Sequence, residues 1–217
     1  MGDEAILYSN HVPTYISTNR RLAVKKILDD VNPDFILLDD GFQDKSLFKD
    51  KNILMVNGAR GFGNGLCLPA GPLRELIKPA LEKAQFLIIV GDDKTKIKSM
   101  YKNINIDTLT ASIKPLYVDK NKKYLAFSGI GNNQSFFDTL IDNNCTVLKT
   151  VEFPDHHFFS ENDLNKLKKT ASDNNLSLIT TEKDFVRIPK EKRDGIECLK
   201  VKIKLHNMDK FMHKLVN

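Results

Sequence analysis

Two adjacent carboxylates, Asp39 and Asp40, close the stretch Asp34-Phe35-Ile36-Leu37-Leu38-Asp39-Asp40-Gly41-Phe42-Gln43. The apolar run ahead of them predicts a strand buried on both faces, as in a parallel sheet. Ligands of open α/β sheets bind just beyond the carboxyl ends of the strands, so two acids placed there can hold Mg²⁺ on a bound nucleotide. The competing reading is that Asp39, Asp40 and Gly41 simply turn the chain after a core strand.

Other groups capable of chemistry follow. Arg74 and Glu75 lie just beyond Gly71-Pro72, where a guanidinium can fork onto phosphate oxygens or make a surface ion pair. Phe153-Pro154-Asp155-His156-His157-Phe158 offers a histidine as proton acceptor, electrophilic stabiliser or local partner of Asp155. These two histidines lack the spacing of a metal site, and no His-Glu-x-x-His is present. In Thr180-Thr181-Glu182-Lys183-Asp184 a lysine can meet phosphate, but capping of a helix by Thr with charged first-turn residues is the favoured reading. Gly61-Phe62-Gly63 and Gly129-Ile130-Gly131 lack the third glycine of a dinucleotide fingerprint and read as tight loops. None of the eleven glycines is followed by lysine, so these residues contain no Gly-x-x-x-x-Gly-Lys phosphate loop.

The elements that must position these groups alternate between strand and helix. Ala5–Tyr8 and Val12–Ile16 read as strand or extended pieces. Arg20–Asp30 reads as a helix with Leu22, Ala23, Ile27 and Leu28 inward, ahead of the Asp34–Leu38 strand. Asn52–Val56 and Phe86–Val90 are expected strands, separated by a Gly/Pro-rich loop from Gly58 to Pro72 and a helix from Leu73 to Lys83 that Pro72 helps to start. A helix and a strand are expected between Asp92 and Lys122. Further on, strands are expected at Tyr124–Phe127, Cys145–Val151, Leu176–Thr180 and Ile196–Ile203. Helices are expected at Gln134–Asp142 (Phe136, Phe137, Leu140 and Ile141 inward), at Glu161–Ala171 behind a Ser160/Asp163 capping box, and at Met208–Leu215. The pattern predicts a mainly parallel α/β architecture, with one lobe at residues 1–118 and a smaller α/β lobe at 119–217.

Composition narrows the class. The 217 residues are 41% hydrophobic and 28% charged, an ordinary balance for a soluble globular chain. The net charge of +5 comes from scattered lysines, with only six arginines. A diffuse surplus of this kind aids solubility and attraction to anionic surfaces without specifying nucleic acid. Cys67, Cys145 and Cys198 are odd in number and unpaired in spacing, which fits a reducing compartment. No apolar run approaches the roughly 20 residues of a membrane span and no signal peptide opens the chain. A cytoplasmic location is expected.

Seven motifs together resemble the tetraacyldisaccharide 4'-kinase family of lipid A biosynthesis. They are Gly2-Asp3-Glu4; Arg20 ahead of a helix; Asp39-Asp40-Gly41-Phe42-Gln43; Phe62-Gly63-Asn64-Gly65 with Leu68-Pro69-Ala70-Gly71-Pro72-Leu73-Arg74-Glu75; Gly129-Ile130-Gly131 with Phe136-Phe137; Asp155-His156; and Thr181-Glu182-Lys183-Asp184. The resemblance implies a phosphate-loop nucleoside triphosphate hydrolase type of fold. It also implies transfer of the γ-phosphate of ATP, with Mg²⁺, to the 4'-hydroxyl of an acylated glucosamine disaccharide at the cytoplasmic face of the inner membrane. Asp3 then resembles the acid that accepts the sugar hydroxyl's proton, with His156 as its partner. Asp39 and Asp40 resemble metal-site acids, Gln43, Arg74 and Glu75 line the nucleotide and phosphate site, and Arg20 looks substrate-side. This set suffices for phosphoryl transfer, in which a protein mainly positions groups and stabilises charge.

Two departures accompany the resemblance. Asp44 stands where the family has His. Family members also carry roughly a hundred residues, an ordinary half-domain, before the Gly-Asp-Glu motif, including the phosphate loop and an apolar membrane-docking helix. A truncated or split form is therefore expected, incomplete at its N-terminus: either the C-terminal portion of a longer product or one whose N-terminal half is supplied by another chain. In isolation it should be sticky, with little kinase activity, because a strand beside Asp34–Leu38 would be absent and Asp3 would lie in a fraying end. A non-catalytic lipid-disaccharide-binding or partner subunit is the alternative, and a metal-dependent phosphohydrolase built on Asp39, Asp40 and His156 a third reading.

Overall fold

The computed structural model describes residues 3–216; Asp3 is placed as the first residue of a helix, with its side chain outside the description. In chain order the elements are α1 (Asp3–Ser9), α2 (Arg20–Asp30), β1 (Ile53–Asn57), α3 (Ile77–Lys83), β2 (Phe86–Val90), α4 (Ile97–Met100), β3 (Asp107–Pro115), β4 (Lys123–Ser128), α5 (Asn133–Asp142), β5 (Thr146–Glu152), α6 (Glu161–Asp173), β6 (Ser177–Thr181), α7 (Glu182–Arg187), β7 (Ile196–Leu199), β8 (Val201–Leu205) and α8 (Met208–Val216), with a short 3-10 turn at Lys190–Lys192. They form two compact units. The first comprises Met1–Ile16 and Lys114–Lys202, the second Ser17–Ile113 and Ile203–Asn217. The boundary near 118 thus falls at Lys114, and each terminal segment joins the other unit.

In the first unit the strands run β5-β4-β6-β7, and every pairing between them is parallel. The central strand β4 is buried along its length after Lys123, because apolar clusters cover both its faces. Leu125 and Phe127 pack with Phe159, Leu164, Leu167 and Ile188 on one side; Tyr124 and Ala126 pack with Phe136, Phe137 and Leu140 on the other. Each such side chain stabilises the unit by about 1.5–3 kcal/mol. Helix α6 starts on the expected capping box: the Ser160 hydroxyl accepts from the Asp163 amide while the Asp163 carboxylate accepts from the Ser160 amide. Of the four residues expected inward on α5, Ile141 is exposed.

The second unit carries the order β1-β2-β3-β8, with β1, β2 and β3 parallel. Strand β2 coincides with the expected Phe86–Val90 and is buried between two clusters. Leu87 and Ile89 meet Val56, Leu81 and Ile97 on one face. Phe86 and Ile88 meet Leu109, Ala111 and Leu205 on the other.

Several expectations are corrected. Ala5–Tyr8 lies in helix α1, since so short an apolar run fits either period, and Val12–Ile16 is irregular. Ile196–Ile203 is two strands that break at Lys200, one half in each sheet. Helix α3 begins at Ile77 because Leu73 is already committed: its amide donates to the Leu66 carbonyl and its carbonyl accepts from the Leu68 amide. Pro79, rather than Pro72, occupies the first turn, where its missing N–H costs nothing. Helix α2 has the expected bounds and is capped by Asn19, whose side chain accepts from the Leu22 amide at 3.2 Å, but it buries none of its residues. Asp34–Leu38 is not a strand. It is irregular, with Phe35 57% and Leu37 83% exposed. An apolar run becomes a strand only where neighbouring backbone pairs with it, and among the described residues none does. Strand β1 likewise has β2 as its one paired neighbour.

Candidate functional site

In the second unit, five of the residues singled out in the sequence converge around the turn at Asp39-Asp40-Gly41. Asp40 has a left-handed backbone, φ 49°, which a short polar residue tolerates. Arg20, the first residue of α2, holds this turn from the chain's earlier end. Its Nη2 donates to the Asp39 carbonyl at 3.3 Å and the Asp40 carbonyl at 3.2 Å, and its Nη1 donates to Asp44 Oδ2 at 2.7 Å. Asp44 therefore serves as the anchor for Arg20. Hydrogen bonds from the Ser46 hydroxyl, then from Arg20, then from the Ser46 amide hold its carboxyl well below the usual carboxylate range. Lys49 Nζ donates to its carbonyl.

Arg74 reaches the same turn from the far side of the Gly/Pro-rich loop. Its Nη1 donates to both oxygens of Asp40, at 2.7 and 2.6 Å. The loop is folded on Asn64, whose Nδ2 donates to the Ala70 carbonyl at 2.9 Å and whose Oδ1 accepts from the Leu66 amide at 3.1 Å. Gly71 is required there: a Cβ on it would stand 2.2 Å from Asn64 Oδ1. Beside Arg74, Glu75 accepts from Gln43 Nε2 at 2.8 Å and from Lys83 Nζ at 2.8 and 2.9 Å. Burial raises the Glu75 carboxyl, but the hydrogen bonds from Lys83 and Gln43 outweigh it and leave the group below its ordinary value. Lys83 also sits 4.3 Å from the centre of the Phe42 ring, a cation–π contact that ties α3 to the Asp-Asp-Gly-Phe-Gln turn. Sequence reasoning missed Lys83. Its signal was the charge in the last turn of α3, which by pattern alone reads as a helix-dipole residue.

These groups border a cleft of about 1430 Å³ lined by Asp34–Gln43, β1, Arg74 and Glu75, with Phe35, Leu37, Phe48 and Met55 along its apolar part. Its lining thus combines two carboxylates and a guanidinium with apolar side chains. Among the described residues no three His, Cys, Asp or Glu side chains cluster as a metal cage. Asp39 and Asp40 are two carboxylates of the kind that hold Mg²⁺ together with substrate phosphates, with both Asp40 oxygens bonded to Arg74 in this structure.

The second group of residues lies in the first unit. Its Gly129-Ile130-Gly131, Asp155-His156 and Thr181–Asp184 motifs, far apart in the chain, meet beyond the carboxyl ends of β4, β5 and β6. Gly129 permits the approach, since a Cβ there would lie 3.0 Å from His157 Cβ and 3.1 Å from the Pro154 carbonyl. Thr181 caps α7, accepting from the Asp184 amide at 3.1 Å, in agreement with the capping reading. Lys183 is ion-paired with Glu4 of α1 at 2.6 Å, which docks the helix that begins at Asp3. The Asp3 carboxylate itself lies outside the described atoms.

The two adjacent histidines divide. His157 stacks on Phe153 with centroids 4.6 Å apart and its Nε2 lies 3.2 Å from Asp163 Oδ2, so it serves the α6 cap. His156 is exposed, has φ 59°, and presents Nδ1 at 3.2 Å from Arg187 Nη2. Asp184 and Arg187, the latter absent from the sequence expectations, are the buried charged pair of this unit, 3.0 Å apart.

Comparisons with known proteins cover the whole chain. The family model described as tetraacyldisaccharide-1-P 4'-kinase, LpxK, matches residues 1–217. A tetraacyldisaccharide 4'-kinase of Gluconobacter oxydans is 34% identical over 210 residues, covering 94% of this chain and 62% of the relative. That of Rickettsia bellii is 36% identical over 218 residues, covering 99% and 67%, and that of Bartonella quintana is 38% identical over 192 residues, covering 87% and 56%. The chain thus spans between 56% and 67% of the length of these curated relatives. Among solved structures, "apo" form LpxK from Aquifex aeolicus in complex with ATP superposes with a TM-score of 0.72 at 24% identity, covering all of this chain and 69% of that one. The fold is that of LpxK, a phosphate-loop kinase fold. No helix among the described residues is long and apolar enough to cross a membrane.

Proposed function

The chain belongs to the tetraacyldisaccharide 4'-kinase family, and we propose that its 217 residues supply the metal-side and proton-accepting parts of that reaction. The reaction is transfer of the γ-phosphoryl group of ATP to the 4'-hydroxyl of a tetraacylated glucosamine disaccharide 1-phosphate. The observation that carries this reading is the convergence of Asp39, Asp40, Arg74, Gln43 and Glu75 in the lining of one cleft. MgATP, when bound, supplies the phosphoryl group and a cation that neutralises charge on its oxygens.

The chain's own residues then divide the work. Asp39 and Asp40 would hold the cation, and Arg74, here bonded to Asp40, would turn its guanidinium to a phosphate, since an arginine fork binds phosphate as well as carboxylate. Glu75, fixed by Lys83, orients Gln43 toward the phosphates. Arg20, anchored on Asp44, keeps the Asp39-Asp40 turn rigid and stands on the substrate side of it. Asp3 accepts the proton of the sugar hydroxyl, with His156 as its partner. The phosphate loop comes from polypeptide outside these residues, as the absence of any Gly-Lys pair supports. We place the protein at the cytoplasmic face of the inner membrane, where such a lipid is accessible.

The same absence favours a second reading, in which the chain binds the lipid disaccharide as a non-catalytic partner subunit. Both are tested with protein isolated from its own cells, incubated with γ-labelled ATP, Mg²⁺ and tetraacyldisaccharide 1-phosphate. The proposal expects label on the 4'-oxygen, retained in Lys166→Ala and lost in Asp39→Asn. Lipid that is bound but unlabelled overturns the proposal in favour of the second reading, and lipid neither bound nor labelled overturns both.

A further inference from the structure

We propose that Arg187 is a positioning residue that fixes the tautomer of His156, with Asp184 as its buried anchor. The inference rests on the reading of His156 as partner of the proton acceptor, and deepens it. Asp184 is fully buried and its carboxylate accepts from three donors. Oδ2 accepts from the Gly129 amide at 3.1 Å and the Thr181 hydroxyl at 2.8 Å, and Oδ1 accepts from Arg187 Nη1 at 3.0 Å. The same Nη1 donates to the Gly129 carbonyl at 2.7 Å. With one arm clamped this way and only 9% of its side chain exposed, the guanidinium plane has little freedom. Its other arm, Nη2, ends 3.2 Å from His156 Nδ1.

A guanidinium has five N–H donors and no acceptor. Nδ1 of His156 is therefore the acceptor in this contact, and in the neutral ring the single proton resides on Nε2. The backbone supports the same orientation: the His156 amide donates to the Gly129 carbonyl at 3.1 Å and to Asp155 Oδ1 at 3.0 Å, which holds the residue in its left-handed conformation. Arg187 faces the ring at Nδ1, and Asp155 Oδ1 is 3.9 Å from Nε2, beyond hydrogen-bond length.

The consequence for the proposed chemistry is a definite role. With Nδ1 occupied by a donor and Nε2 carrying the proton, neutral His156 offers a hydrogen bond and has no open lone pair with which to take a proton. It orients a carboxylate by donating from Nε2 and leaves proton acceptance to that carboxylate. Gly129, Asp155, Thr181, Asp184 and Arg187 then form one device, and the three scattered motifs share a purpose that none has alone.

The tautomer is read directly from the ¹⁵N shifts and long-range couplings of the imidazoles in the full chain, with no nucleotide or lipid present. The His156 signals are assigned by their loss in His156→Gln. The expected result is a protonated Nε2 and an unprotonated Nδ1, with the preference falling roughly tenfold in Arg187→Met, the factor matching one hydrogen bond from a charged donor, and largely restored in Arg187→Lys. A protonated Nδ1 in the unmodified protein, or a preference that Arg187→Met leaves unchanged, overturns the inference. Should Arg187→Met fail to fold, Arg187→Gln, which retains a neutral donor, decides by the same readout. Because these spectra need no turnover, the tautomer assignment and the kinase reading stand or fall separately. In turnover, Arg187→Met should lower kcat with little change in the KM for ATP.

Discussion

Replacing Asp184 with alanine should unlock the first unit by an amount that can be worked from its contacts. The carboxylate is wholly buried and serves three donors, the Gly129 amide, the Thr181 hydroxyl and Arg187. Removing it strands an arginine whose side chain is only 9% exposed. Breaking a buried ion pair by deleting one partner costs about 3–5 kcal/mol, most of it from the charge left behind. At about 1.4 kcal/mol per factor of ten, amide protection limited by opening of this unit should fall by roughly two to four powers of ten. Hydrogen exchange followed by mass spectrometry is the suitable assay, because the chain has no tryptophan to report unfolding and because peptides report the units one at a time. Loss of protection is expected in peptides from β4 and β6, with β2 of the other unit as the internal reference. Asp184→Leu combined with Arg187→Met should recover part of the loss, since removing both charges leaves none unpaired. A fall of less than about fivefold in Asp184→Ala, under 1 kcal/mol, would refute the argument that this pair is a structural anchor.

Other outcomes follow from the same physics. Asp44 has a depressed carboxyl, so the stability it contributes is complete above the unfolded value near 4 and declines as pH falls below that range. The difference between the unmodified protein and Asp44→Asn in urea melts should be flat above about pH 5 and shrink toward acid. Burial pushes the Cys198 thiol up to about 11 and raises that of Cys145, so at pH 8 an aromatic disulfide reagent should modify Cys67 first, since the thiolate is the reactive form. Gly129→Ala should cost about 1–3 kcal/mol in urea unfolding, the usual range for overpacking, because the new Cβ meets His157 Cβ and the Pro154 carbonyl at 3.0 and 3.1 Å.

Where one local pattern sufficed, the sequence was a good guide. Phe86–Val90 is a strand to the residue, since a continuous apolar run between turn signals and buried on both faces has few other solutions. The Ser160/Asp163 cap is equally local. Asp34–Leu38 shows the limit of the same reasoning. Its pattern expresses a demand for neighbours on two edges and two faces, and the demand is not met among the described residues, so Leu37 stands exposed. Ile196–Ile203 was read as one strand because nothing in its alternation reveals that Lys200 marks a change of sheet.

The candidate site divides along the same line. Asp39, Asp40, Arg74 and Glu75 were recognisable by type, yet that Arg74 meets Asp40 across 34 positions, or that Asp44 answers Arg20, is a property of the folded loops. Arg187 was invisible for a different reason. An Asp and an Arg three residues apart on a short helix look like a solvated surface pair, and only burial distinguishes an anchor from a decoration.

The interleaving of the two units has a consequence for synthesis. Helix α1 leaves the ribosome long before Lys183, to which Glu4 is tied. Between them the ribosome must make the greater part of the second unit, Ser17–Ile113, roughly a hundred residues and about 5–20 seconds at ordinary rates of elongation. That unit in turn waits for β8 and α8, which follow the first unit in the chain. Neither unit corresponds to a continuous stretch of message, and a cut within Ser17–Ile113 or Lys114–Lys202 divides both. Through that interval α1 carries Ala5, Ile6 and Leu7 with no folded surface of its own unit to cover them, a period in which a chaperone, rather than a neighbouring helix, is their natural partner.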